Sequence, residues 1–317
     1  MENVYLGIRV VFPLLCFMLV GYLSRRIKWM DAASLHRLNT LVFRLLMPLL
    51  VFINGSTVDI QAVFNAENIR VLLLALPGIG IILTLSLLVC KPLISDIKTR
   101  AIIIQGVYRS NLILFGLPVI LTIYGGYQVG TLSVLIIFIV PLYNIIAAFL
   151  LGNAIQKEKR IGFLFQQALT NPLVIAAISG LVYNVIFRGF MPELFLDPLQ
   201  QLGRVATPLA FIVLGGSLKF TRLVKETKYL VIVCLLRLVV IPGIMLAIAV
   251  LIMGITGPAL VVLTAAFASP VAISSYTMAR NMNVAPNLAG DLVAVSTVVS
   301  MFTIAAWVAF LGFQGLL

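Results

Sequence analysis

Long apolar runs, broken only by short patches of charge or of Gly, Pro and Asn, constrain this chain more than any other feature. Hydrophobic residues fill 62% of the 317 positions and charged residues only 10%, whereas a water-soluble domain carries about 45–50% and about 25%. Too few polar side chains exist to cover a soluble surface. The fold class is therefore an all-α integral membrane protein, because a helix pairs every backbone N–H and C=O within its own segment. At roughly 20 apolar residues per pass, ten transmembrane helices are predicted. They run over 5–23, 34–53, 69–90, 101–124, 130–152, 171–188, 199–218, 229–253, 257–279 and 290–313. Little chain is left for an extramembrane domain.

The second run differs from the rest. Leu35, Leu38, Leu41, Val42, Leu45 and Leu49 recur at helical spacing, while Ser34, Arg37, Asn39, Thr40 and Arg44 occupy the other faces. A helix with such a polar stripe belongs inside a bundle, beside a cavity or at an interface. The N-terminal segment lacks the basic region and small-residue cleavage site of a secretory signal, so the first run is expected to persist as a helix. Cys16, Cys90 and Cys234 all lie in apolar runs, where they act as small hydrophobes. With no CxxC pair and one histidine, His36, neither a metal centre nor another cofactor is predicted.

A net charge of +12 fits lysines and arginines flanking spans, not a nucleic-acid partner. Arg25, Arg26 and Lys28 follow span one. Lys91, Lys98 and Arg100 follow span three, and Lys157, Lys159 and Arg160 follow span five. Lys219, Arg222, Lys225 and Lys228 follow span seven, and Arg280 follows span nine. These are fourteen of the 22 basic residues, and the intervening loops hold only Arg70 and Arg188. The positive-inside rule puts the basic loops in the cytoplasm of a cell membrane and both termini outside it.

The chain also echoes itself. Spans two and seven each hold a proline, Pro48 and Pro208, 160 residues apart; spans four and nine hold Pro118 and Pro270, 152 apart. Two five-span halves, 1–155 and 156–317, fit these offsets. An odd number of passes makes the halves inverted, an arrangement that many secondary transporters share. Proline inside a membrane helix removes one backbone hydrogen bond and frees a carbonyl, so helices four and nine are expected to be broken at Pro118 and Pro270. Such breaks are tolerated only against protein or a watery cavity, and half-helix N-termini favour anions. A plain kink without a ligand is the alternative.

Around the first break, Tyr108, Asn111 and Phe115 share one face of a regular helix, while Arg109 points roughly away. Arg109 is then an anion ligand, a structural ion pair or a snorkelling cation. After Pro270, Ser274, Ser275, Tyr276 and Thr277 offer hydroxyls, which in membrane helices usually bond back to their own backbone. Of the ten acids only Asp291 opens a span, either at the interface or as a buried proton carrier, against six arginines within spans. That excess favours an anionic substrate.

At these residues the sequence resembles the auxin efflux carrier family of transporters, bacterial branch. The carrying motifs are Arg109-Ser110-Asn111 with Phe115-Gly116-Leu117-Pro118, and Ser269-Pro270-Val271-Ala272 with Ser275-Tyr276-Thr277-Met278-Ala279 and Ser296-Thr297. The resemblance implies a scaffold of helices one, two, six and seven, and a transport part of helices three to five and eight to ten. It implies that helices four and nine unwind and cross, with elevator-like motion and a homodimer. It implies small organic anions such as malate, malonate or auxin-like acids as substrates. By that resemblance Asn111 is the best substrate contact; the further candidate substrate-binding residues are Tyr108, Arg109, Gly116, Pro118, Ser269, Pro270, Ser274 and Ser275. Plant members place an asparagine in span nine where this chain has serines, which favours a smaller carboxylate than indole-acetate. The bile-acid family, sodium-coupled, is the alternative carrier. An enzyme is not expected: Ser217 ends span seven with nothing placing His36 beside it, and an acid pair that shares a proton is missing.

Overall fold

The computed structural model of the chain describes residues 2–57, 66–124, 129–155, 172–218 and 227–317. Every regular element among them is helical. The helices are α1 (Glu2–Arg26), α2 (Ala32–Thr57), α3 (Ala66–Leu93), α4 (Ile97–Tyr108), α5 (Leu112–Tyr124) and α6 (Val129–Ala154). Then come α7 (Pro172–Phe187), α8 (Glu193–Ser217), α9 (Thr227–Ile252), α10 (Gly257–Ala268), α11 (Ile273–Asn281) and α12 (Pro286–Phe313). Six of them, α1, α2, α3, α6, α9 and α12, contain segments long and apolar enough to cross a membrane; α5, α7 and α10 are shorter apolar helices. Their outer faces stay greasy: Leu251 and Ile252 are 82% and 76% exposed, a surface suited to lipid and not to water. The protein is thus a multi-pass membrane protein.

Local chemistry sets several boundaries. Asp31 caps α2 by accepting from the Ser34 amide at 2.7 Å, and Asp96 caps α4 by accepting from the Thr99 amide at 2.9 Å. The Ser34 amide holds the Asp31 carboxyl below the usual carboxylate range, and the Thr99 hydroxyl and amide do the same for Asp96. Both side chains satisfy N–H groups that the first turn leaves orphaned.

The runs expected over 101–124 and 257–279 are each split in two. The first break lies at 109–111, not at Pro118, which sits inside α5. Pro270 does lie in the second break, between Ala268 and Ile273. Proline is therefore not what ends α4. The two breaks pair with each other, so backbone groups leave the helix for partners across the bundle.

α1 packs between α8 and α12, and α2 packs on α7 and α8. Two of these contacts bring backbones together at glycine. A Cβ on Gly21 of α1 would overlap the Ile212 carbonyl of α8, and one on Gly180 of α7 would overlap the Phe52 carbonyl of α2. Gly180 follows Gly21 by 159 residues and Ile212 follows Phe52 by 160, the offset that also separates the two span-centre prolines Pro48 and Pro208. Small residues allow this approach, and close van der Waals packing is what holds helices together where lipid is as apolar as leucine. Residue 156, where the second half is expected to begin, and Lys157, Lys159, Arg160, Lys219, Arg222 and Lys225 lie outside the described residues.

Gly215→Ala should push α8 away from the Met18 carbonyl of α1 and cost about 1–3 kcal/mol, seen as a lower unfolding midpoint in detergent. Gly80→Ala, whose Cβ meets open space on α3, should leave the midpoint unchanged or raise it.

Candidate functional site

The two breaks form one antiparallel crossing. The Asn111 amide donates to the Pro270 carbonyl at 2.8 Å, the Ala272 amide donates to the Arg109 carbonyl at 3.3 Å, and Ser110 bridges Val271. Arg109, Ser269 and Ala272 are extended, with ψ of 105°, 149° and 134°. The Val271 amide donates to Ser296 Oγ of α12 at 3.1 Å. Each break thus finds partners for amides that an intact helix would have paired, as burial demands.

Helices α4 and α10 end at this crossing, and their last carbonyls need donors. Arg237 supplies them. Its Nε donates to the Ser269 carbonyl at 3.0 Å and its Nη2 to the Ala266 carbonyl at 2.8 Å; Nη1 faces the Val107 and Tyr108 carbonyls at 3.3 and 3.5 Å. The side chain is fully buried. A guanidinium set against two helix C-termini is also well placed electrostatically, because both ends carry partial negative charge.

The opposite ends, the N-termini of α5 and α11, open on a cavity of about 470 Å³. Leu112 and Ile113 from α5, and Ile273 and Ser274 from α11, line it. So do Arg109 and Asn111 from the break, Asn39 and Arg44 from α2, and Tyr143 and Asn144 from α6. The polar stripe of the second run therefore reaches the cavity through Asn39 and Arg44. Among the described lining residues there are two arginines and no carboxylate. Arg109 donates to Asn144 Oδ1 and Met278 Sδ, neither of them charged. The buried Asn111 Nδ2 has no hydrogen-bond partner among the described residues.

Not every expected site residue arrives there. Tyr108 and Phe115 were placed with Asn111 by helical periodicity, but the helix stops between them. Arg109, expected on the far face, joins Asn111 at the cavity because the segment is extended. Tyr108 is buried edge-on to Tyr143, ring centroids 5.7 Å apart, and Phe115 packs on Phe211 at 5.1 Å. Gly116 is a packing position against Ala265 and Leu132, and Pro118 lies in α5. Ser269 is buried, its hydroxyl donating to the Ala265 carbonyl, while Pro270 serves the crossing through its carbonyl. Ser275 is buried, its hydroxyl without a partner among the described residues, and does not line the cavity. Ser274 does. Asp291 is buried in α12, on a second cavity.

Arg44 is singled out from sequence only as part of the polar stripe of the second run, and Arg237, Tyr143 and Asn144 are not singled out. A signal existed for the arginines: each stands four or five residues before an in-span proline, Pro48 or Pro242. Both sit in wide π turns, Val42–Leu46 and Leu236–Val240. Proline frees the carbonyl a turn earlier, and π turns recur at functional sites. Tyr143 and Asn144 had none, because only the crossing makes them neighbours of Ser110 and Arg109.

A membrane-embedded helical bundle with broken helices meeting at a cavity that two arginines and three asparagines reach has the architecture of a transporter. A family model described as Membrane transport protein matches residues 6–162 and again residues 158–308. The chain therefore belongs to this family, the auxin efflux carriers, whose members are membrane transporters and not enzymes. No curated protein matches the sequence.

Arg237→Met should leave several buried carbonyls without donors, at about 1–3 kcal/mol each, and lower both the detergent unfolding midpoint and transport. Arg237→Lys, with a compact ammonium in place of the fork, should restore part of each.

Proposed function

We propose that this protein is a secondary carrier of small organic anions that works by alternating access. The carrying observation is the cavity lining: two arginines, the unpartnered Asn111 amide, two helix N-termini and no acid among the described residues. Each element favours negative charge, and bare N–H groups at helix starts bind carboxylates without a counter-cation. Asn111 and Ser274 are the substrate contacts, with Arg109 as the fixed charge. Arg44, on a different part of the bundle, faces the same space. A cavity of about 470 Å³ suits a small carboxylate such as malate or malonate.

The twelve helices make ten passes, with α4 and α5 as halves of the fourth and α10 and α11 as halves of the ninth. They form two inverted five-helix repeats. The paired glycine contacts at offsets of 159 and 160 support this, as do the two matches of one family model, 6–162 and 158–308. Mutual packing of α1, α2, α7 and α8 supports a scaffold against which the remaining helices move, elevator-fashion, and through which a homodimer forms. The protein sits in the cell membrane with both termini outside. Asn39, Pro172 and Met278 line the cavity near helix ends that adjoin the basic loops, so this state faces the cytoplasm.

Counterflow in proteoliposomes tests the carrier reading: preloaded unlabelled malate, malonate or a monocarboxylate should accelerate entry of the labelled acid. A rate indifferent to preloading with every acid of the panel would point to a channel. Asn111→Ala should cut counterflow roughly 10- to 100-fold, the worth of a hydrogen bond to a charged group, at unchanged protein yield. Unaltered flux would remove Asn111 from the site. Reporter fusions after Arg100 and after Arg188 should report cytoplasm and exterior respectively.

A further inference from the structure

Asp291 is the one buried carboxylate among the described residues, and the anion cavity does not use it. It lines a separate cavity of about 300 Å³ with Ser217 at the end of α8, Tyr276 on α11, and Asn287 and Gly290 on α12. These are oxygen-rich neighbours for a small cation, and Gly290 leaves room for the Tyr276 ring, 3.4 Å from where its Cβ would stand. Building on the carrier reading, we infer that this cavity is a coupling site for one monovalent cation, a proton or a sodium ion, held by Asp291.

Two connections tie the cavity to the anion site. α11 is the wall between them, with Ile273 lining both cavities, Ser274 and Thr277 only the anion cavity and Tyr276 only the other. α12 carries Asp291 and, five residues on, Ser296, whose hydroxyl accepts the Val271 amide of the crossing. A cation that draws α11 and α12 together therefore acts on the helix whose N-terminus faces the anion. Bringing an anion into a negative interior works against the membrane field, and a co-transported cation cancels one unit of that charge.

Tyr276 is the other titratable side chain among the described residues lining the cavity. Arg280 lies one turn further along α11. The other helices packed on α12 bring Arg25 and Arg26 at the end of α1, Lys98 and Arg100 at the start of α4, and Lys228, Tyr229 and Cys234 early in α9. Arg237, further along α9, is committed to the crossing, α10 brings no charged side chain, and Asp96 is the cap of α4.

Reconstituted wild-type protein should take up the acid that supports counterflow roughly tenfold faster under one of two inward gradients, protons without sodium or sodium at fixed pH. Asp291→Asn should reduce that stimulation to about twofold or less, while Asp197→Asn, removing an exposed acid of α8, should retain it. Stimulation that survives Asp291→Asn, or a wild type indifferent to both gradients, overturns the cation site while counterflow upholds the carrier. Absence of counterflow with every acid overturns both. A substrate-free check uses wild-type protein alone: dicyclohexylcarbodiimide should modify Asp291, mapped by peptide mass spectrometry, and raised pH or added sodium should protect it. No adduct, or labelling indifferent to both, counts against the site.

Discussion

Unpaired peptide groups cannot be left in hydrocarbon, and the middle of this protein is organised around that constraint. Interrupting two helices creates four ends, two rich in carbonyls and two rich in amides. The carbonyl ends of α4 and α10 are closed by one buried guanidinium, Arg237, which reaches both at once. The amides within the breaks are taken up by the reciprocal pairing of residues 109–111 with 270–272 and by Ser296. What remains open is the amide end of α5 and of α11. The bundle therefore neutralises its negative helix ends and presents its positive ones.

That asymmetry gives the cavity its character. A pocket with a single arginine could be an accident of a charged helix end. Here Arg109 and Arg44 arrive from separate elements, and the helix N-termini add partial charge of the same sign. Arg109 is steadied by Asn144 and Met278 without being neutralised. Among the described residues that cation is held in place by neutral partners only. The buried carboxylate lines a different cavity, on the other side of α11.

Periodic composition made most of the fold legible. Two of the apolar runs are split among the twelve described helices, and the polar faces of the second run led to Asn39 and Arg44. The site was legible in part. Asn111, Arg109 and Ser274 reach the cavity, but Tyr108 and Phe115 were grouped with them on the assumption of unbroken helical spacing. That assumption fails where the chain leaves the helix, and it reversed the position of Arg109. Proline marked one break and misled about the other, because the interruption at 109–111 is fixed by partners across the bundle and not by a missing N–H.

From the amino-acid order alone came the membrane environment, the apolar runs, the excess of cations within them and the recurrence of proline at a spacing of 152 to 160 residues. These are local properties, since hydropathy and charge are counted along the chain. Folding decided where the helices stop, which arginine closes them and which side chains share a cavity. Those outcomes depend on groups more than a hundred residues apart, as Arg237 is from Val107, and no local pattern records the partner that a freed carbonyl will find.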